Sequence, residues 1–281
     1  MKKACSALFL LGLAFLITNE VTAASYKFQY KVHPGQVWLA EMLSRSETSY
    51  MDNKSVTKNK NRVTYTVQKG SRSGWVTIKA KITATSGPDG DPMGLTRMIF
   101  HADLHTSGEI RNTRADIPEN SSSGQPEIPP EMAAMQAQVG RMMGDMWLQM
   151  IFWFPEFPEE ALSPGDEFEE KKRLKMGGGA QGFGSQTLVK TVYILEEVSK
   201  GLAYFSVKQR SVTKTSAAMG TTAETKSAGK GDAIFDLKEG MWLEFTTKSR
   251  HNVSMGNIPG AEAAPGSNTV LSINKITLEK Q

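Results

Sequence analysis

His101, Asp103 and His105 alternate along a stretch that reads as β-strand, so their three side chains fall on one face. Two imidazoles and a carboxylate form a ligand set for zinc or iron. On a strand, however, the neighbouring members stand about 7 Å apart and the outer pair about 13 Å. One ion would need a bulge or turn to gather them. A solvated strand face is the expected reading. A metal-binding protein or enzyme built on these three residues is the alternative.

The second unusual chemistry is thioether. The chain has 15 methionines, and Met132, Met135, Val139, Met142, Met146 and Met150 recur at spacings of three and four. That spacing predicts a helix from Glu131 to about Phe154 with one apolar stripe. Pro130 suits its first turn, and Pro155 and Pro158 end it. Methionine is a soft ligand for Cu(I), but this stretch has no histidine and shares its space with Trp147, Phe152, Trp153 and Phe154. Adaptable packing, or a surface that accepts an apolar molecule, accounts better for it. Met135, Met142, Met146, Trp147, Met150 and Phe154 are the expected pocket lining.

Other catalytic signatures are missing. There is no Gly-x-Ser-x-Gly elbow and no His-Glu-x-x-His. Glu156, Glu159, Glu160, Asp166, Glu167, Glu169 and Glu170 cluster in turn-rich sequence and read as surface. The glycine-rich run Met176–Gly184 lacks the Gly-Lys-Ser/Thr ending of a phosphate loop. No cofactor is expected, and the protein reads as a non-enzyme.

The elements that position these residues are mostly strands. Tyr26, Phe28, Tyr30 and Val32 alternate with polar residues, as do Val63, Tyr65 and Val67, then Val76, Ile78, Ala80 and Ile82. Ala203, Phe205 and Val207 follow, then Met241, Leu243 and Phe245, and the last strand is expected over 269–278. Strict alternation places one face on a core and one in water, the pattern of antiparallel sheet. Gly87–Pro92, Thr215–Gly231 and Gly256–Ser267 read as loops or exposed tips.

Lys2 and Lys3, an apolar run from Ala7 to Ile17 and Val21-Thr22-Ala23 read as a secretory signal, too short to span a bilayer. Export to a periplasm or the exterior is expected, with cleavage after Ala23 or Ala24 and no transmembrane segment afterwards. Cys5, the single cysteine, would leave with the signal, which excludes disulfides and thiolate chemistry. The formal charge of +4 is spread over interleaved acids and bases. No run has the density expected for nucleic acid or an anionic membrane.

A long-period echo organises the rest. Pro34-Gly35-Gln36-Val37 is answered by Pro164-Gly165-Asp166-Glu167, and Gly74-Trp75-Val76 by Gly201-Leu202-Ala203. Asp103-Leu104 with Gly108 is answered by Asp236-Leu237 with Gly240. The expected layout is a signal over 1–23 and one domain over 24–281. That domain divides into halves over 24–115 and 159–281, joined by a linker and helix over 116–158.

The two Pro-Gly starts, the linker helix and Phe154-Pro155-Glu156-Phe157-Pro158 together resemble a group of uncharacterised exported bacterial β-rich proteins. Phe235-Asp236-Leu237-Lys238-Glu239-Gly240 looks like their strand-turn signature. More distantly, the layout resembles the LolA/LppX-type lipoprotein carriers, half-barrels that hold acyl chains; this likeness implies apolar cargo. The expectation is therefore a mainly β (α+β) fold, a strongly curved antiparallel sheet or half-barrel. One Met- and aromatic-rich helix packs on its concave face. The function expected is binding of an apolar or lipid-like small molecule. An envelope structural or interaction module is the alternative.

Overall fold

The computed structural model describes residues 24–50, 53–86, 95–116, 144–177, 184–216, 222–255 and 268–281. The signal segment, Met135 and Met142 lie outside them. The alternating stretches form eleven strands: β1 (Val37–Tyr50), β2 (Asn53–Lys69), β3 (Trp75–Ser86), β4 (Ile99–His105), β5 (Ile110–Asp116), β6 (Glu167–Gly177), β7 (Gly184–Ser199), β8 (Leu202–Ser216), β9 (Thr222–Asp236), β10 (Met241–Met255) and β11 (Asn268–Lys280). All belong to one antiparallel sheet in the order β5-β4-β3-β2-β1-β11-β10-β9-β8-β7-β6. The sheet does not close, and β5 and β6 are its edges.

Curvature follows from two hydrogen bonds. Tyr30 N donates to Thr106 O in the β4–β5 turn, and Lys31 N donates to Gly240 O in the β9–β10 turn. In a flat sheet β4 and β10 would stand about 24 Å apart at the usual strand spacing. Two adjacent residues bridge them, so the sheet curls into a cup. The segment 26–32 lies across its base. It alternates as expected, with Phe28, Tyr30 and Val32 buried. It is not a ladder strand, however, and only Tyr26 forms a bridge, to Leu162.

The inner face carries the core near the base. Trp38, Val63, Tyr65, Ile78, Phe100 and Leu104 come from one flank, and Phe168, Tyr193, Phe205, Phe235 and Trp242 from the other. Trp242 corrects the expected alternation of β10. A register shift between Trp242 and Glu244 turns its indole inward, where it is 0% exposed. Further from the base the inner positions become small and polar, with Thr191, Thr247 and Ser249 buried there.

Residues 222–231, expected as part of an exposed tip, are strand. They pair with β8 on one side and β10 on the other. Glycine permits this pairing: a Cβ at Gly231 would overlap the Thr246 backbone.

The helix, α1, covers 144–151 among the described residues. It lies on the concave side, where Tyr65 Oη donates to Ile151 O at 2.8 Å. The chain leaves the helix just before Phe152, earlier than the expected end near Phe154.

The two Pro-Gly corners share one geometry. Gly35 and Gly165 have φ of 92° and 96°, a region that favours glycine. Gly35 N donates to Val67 O, and Gly165 N to Leu195 O. Gln36 Oε1 accepts from His33 N, and Asp166 Oδ2 accepts from Ser163 N. The strand-turn signature matches less well. Asp236 Oδ1 caps its turn by accepting from Lys238 N and Glu239 N. Asp103 instead sits within β4, and His105 holds the strand-end position.

Candidate functional site: a cleft at the break in the sheet

The chain between α1 and β6 passes through the gap between the two sheet edges. Proline spacing keeps Phe154-Pro155-Glu156-Phe157-Pro158 extended, and its backbone is fastened at four points. Tyr30 Oη donates to Pro155 O at 2.9 Å and accepts from Trp242 Nε1 at 2.8 Å. Phe157 N donates to Ser107 O at 2.8 Å. Lys172 Nζ donates to Phe154 O at 3.4 Å. Tyr26 and Leu162 exchange backbone hydrogen bonds of 2.8 and 2.9 Å.

Phe157 is the hub of this plug. Its ring stacks on Trp242 at 5.6 Å and on Phe28 at 5.4 Å. It meets Phe235 edge-on at 4.9 Å and contacts Tyr30 and Phe168 at 5.3 and 5.7 Å. Beside it, between the facing edges of β5 and β6, lies an open cleft of about 640 Å³. Phe154, Phe157, Phe168 and Ile110 line its apolar side. Its rim carries Glu109, Glu156, Glu159, Glu169 and Glu170 against Lys171 and Lys172. Arg111 pairs with Glu109 and Lys190 with Glu169 from just outside the lining; the one-carboxylate excess that remains favours a neutral or cationic polar group over an anionic one.

Glu170 points inward from β6, and its side chain is only 13% exposed. Burial raises its pKa above the ordinary 4.5, opposed by Lys172, whose Nζ lies 3.0 Å from Oε1. A carboxyl with a raised folded pKa stabilises the fold when protonated, and this stability is lost as pH rises through the folded pKa. Glu170→Gln is therefore expected to be more stable than the wild type at neutral pH. The difference should vanish toward pH 4, near the unfolded value. Thermal melts of both proteins across that range check this. An equal difference at both ends would contradict it.

The sequence-derived candidates separate. Phe154 is 1% exposed and stacks on Trp153 at 5.6 Å. Among the described candidates it is the one that reaches the cleft. Trp147 is buried, and its indole N–H has no acceptor among the described residues. Met146 packs against the core, while Met150 is 44% exposed and faces away.

His101, Asp103 and His105 each have their own partners. His101 Nε2 lies 2.8 Å from Asp116 Oδ2. Asp103 accepts from Thr77 at 2.7 Å and from Asn112 at 2.8 Å, and these bonds, Thr77 first, hold its carboxyl below the ordinary value. His105 packs on Trp75 and lies 3.0 Å from Ser107 Oγ. Among the described residues no group of three His, Cys, Asp or Glu is placed to hold a metal.

No protein-family profile and no curated protein matches the chain. Among solved structures, lipovitellin, described for its lipid–protein interactions, is similar over 89% of this chain at 12% identity and a TM-score of 0.43. The chain spans 26% of the lipovitellin chain. Ail, the attachment invasion locus protein of Yersinia pestis, matches over 88% of this chain and 100% of its own at 5% identity, TM-score 0.20. An outer membrane channel from Pseudomonas putida F1 matches over 89% and 97% at 7% identity, TM-score 0.22. The resemblance to exported β-rich proteins and to LolA/LppX-type carriers therefore rests on the sequence motifs alone.

Proposed function

We propose that this protein is an exported, non-enzymatic binding protein for an apolar or lipid-like molecule with a neutral or cationic polar end. The observation that carries this reading is the cleft itself. At the break in the sheet, a cleft backed by the buried rings of Phe154, Phe157 and Phe168 opens beside a carboxylate-rich rim, an arrangement suited to an amphipathic ligand.

The test uses protein purified without denaturation from its own host. Native mass spectrometry should show a co-purifying lipid-like mass. The neutral probe N-phenylnaphthylamine should brighten on binding, and Ile110→Glu should abolish the brightening. A ligand-free protein that also ignores the probe would overturn the reading. The densely packed aromatic base favours the second reading, an envelope interaction module, and that outcome would select it.

A further inference from the structure

On the convex face of β7–β11, opposite the core, the sheet register assembles a cationic groove. Lys208, Lys230 and Lys248 stand directly opposite one another on β8, β9 and β10. Lys190 faces Arg210 on the next strand, and Arg250 lies across Ala228 from Arg210. These six cations line a groove of about 570 Å³ whose apolar members are Val192, Ala228 and Leu271. Lys190 pairs with Glu169; among the described residues the other five have no ion pair. Like charges directly opposite on adjacent strands destabilise a sheet, and adjacent strands here lie about 4.8 Å apart. Asp232, two residues from Lys230 on the same face of β9, offsets part of this charge; the remaining excess of cations at that spacing forms a positive local potential.

We propose that this face docks on an anionic phospholipid surface. Charge complementarity selects an anionic partner, and the composition of the groove selects the lipid. Val192, Ala228 and Leu271 lie among the cations, and Leu188 on the same face is 46% exposed. Lysine and arginine with aliphatic neighbours suit the headgroup boundary of a bilayer. The groove holds no aromatic ring, so it lacks the stacking platform that single-stranded nucleic acid uses. The groove meets the rim of the acidic cleft at the Lys190–Glu169 ion pair, so the docking variants leave Lys190 in place and docking is tested separately from ligand binding.

Co-sedimentation of the whole protein with two vesicle types tests the proposal, one of phosphatidylcholine alone and one of equal parts phosphatidylcholine and phosphatidylglycerol. Binding is expected to the anionic vesicles only, weakening as salt screens the contact. Each cation near such a surface contributes about fivefold in affinity. The triple variant K208Q/K230Q/K248Q should therefore bind roughly 100-fold more weakly, with a thermal midpoint equal to or above wild type. The control K54Q/K58Q, on the distant β2, should bind like wild type. Several results would overturn the proposal. They are equal binding to both vesicles, no binding to either, salt-independent binding, or tighter binding to a single-stranded polynucleotide than to the vesicles.

Discussion

Phe157→Ala is expected to lower the unfolding free energy by about 3–5 kcal/mol, the range for removing a large buried aromatic side chain. Phe157 contacts five other aromatic rings drawn from the base segment, β6, β9 and β10. Few neighbours can move into the space, because Trp242 and Tyr30 are themselves fixed by a mutual hydrogen bond. Collapse would break that bond, and failure to collapse would leave a cavity. Urea unfolding followed by tryptophan fluorescence measures the difference. A loss under about 1 kcal/mol would show that the plug is a surface strap and not part of the core.

Gly108→Ala should cost about 2 kcal/mol or more, and Gly165→Ala measurably less. Both glycines have nearly the same left-handed backbone, with φ of 99° and 96°. The strain of placing an L-residue there is about 1–2 kcal/mol at either site. They differ in what surrounds them. A Cβ at Gly165 meets nothing within 4 Å, whereas at Gly108 it would overlap Pro155 O and stand 2.7 Å from the Tyr30 ring. Subtracting one loss from the other isolates the contact between the β4–β5 turn and the plug. Equal losses in denaturant titrations would mean that this contact yields freely.

Much of the architecture was legible because period-two patterning reports directly on burial. Val63, Tyr65 and Val67 alternate in the chain and are buried as that alternation requires. Pro-Gly marked both corners because few other residues accept their φ. Trp242 was misplaced because a bulge breaks the period without any local signal. Residues 222–231 looked like a tip because sequence shows small polar residues but not the two strands that flank them. The cleft was invisible for a different reason. It depends on β5 and β6 failing to pair, a property of the whole sheet. The cationic groove was equally hidden. Lys208, Lys230 and Lys248 are about twenty residues apart in the chain and become neighbours only through register. Charge density along the sequence could not report it.

The plug has one more consequence, for the solution behaviour of the molecule. Among the described residues, β5 and β6 each have a strand neighbour on one side only, and open edges of this kind recruit other strands. Here the start of β5 and the first half of β6 face each other across a cleft beside a single proline-spaced segment. β5 is only seven residues long and carries Arg111, Arg114 and Asp116; β6 carries Glu169, Lys171 and Arg173. Short length and charge both discourage edge-to-edge polymerisation. The segment that fills the base of the cup therefore also acts as a spacer, keeping two adhesive margins of one sheet from zipping shut or joining those of another copy.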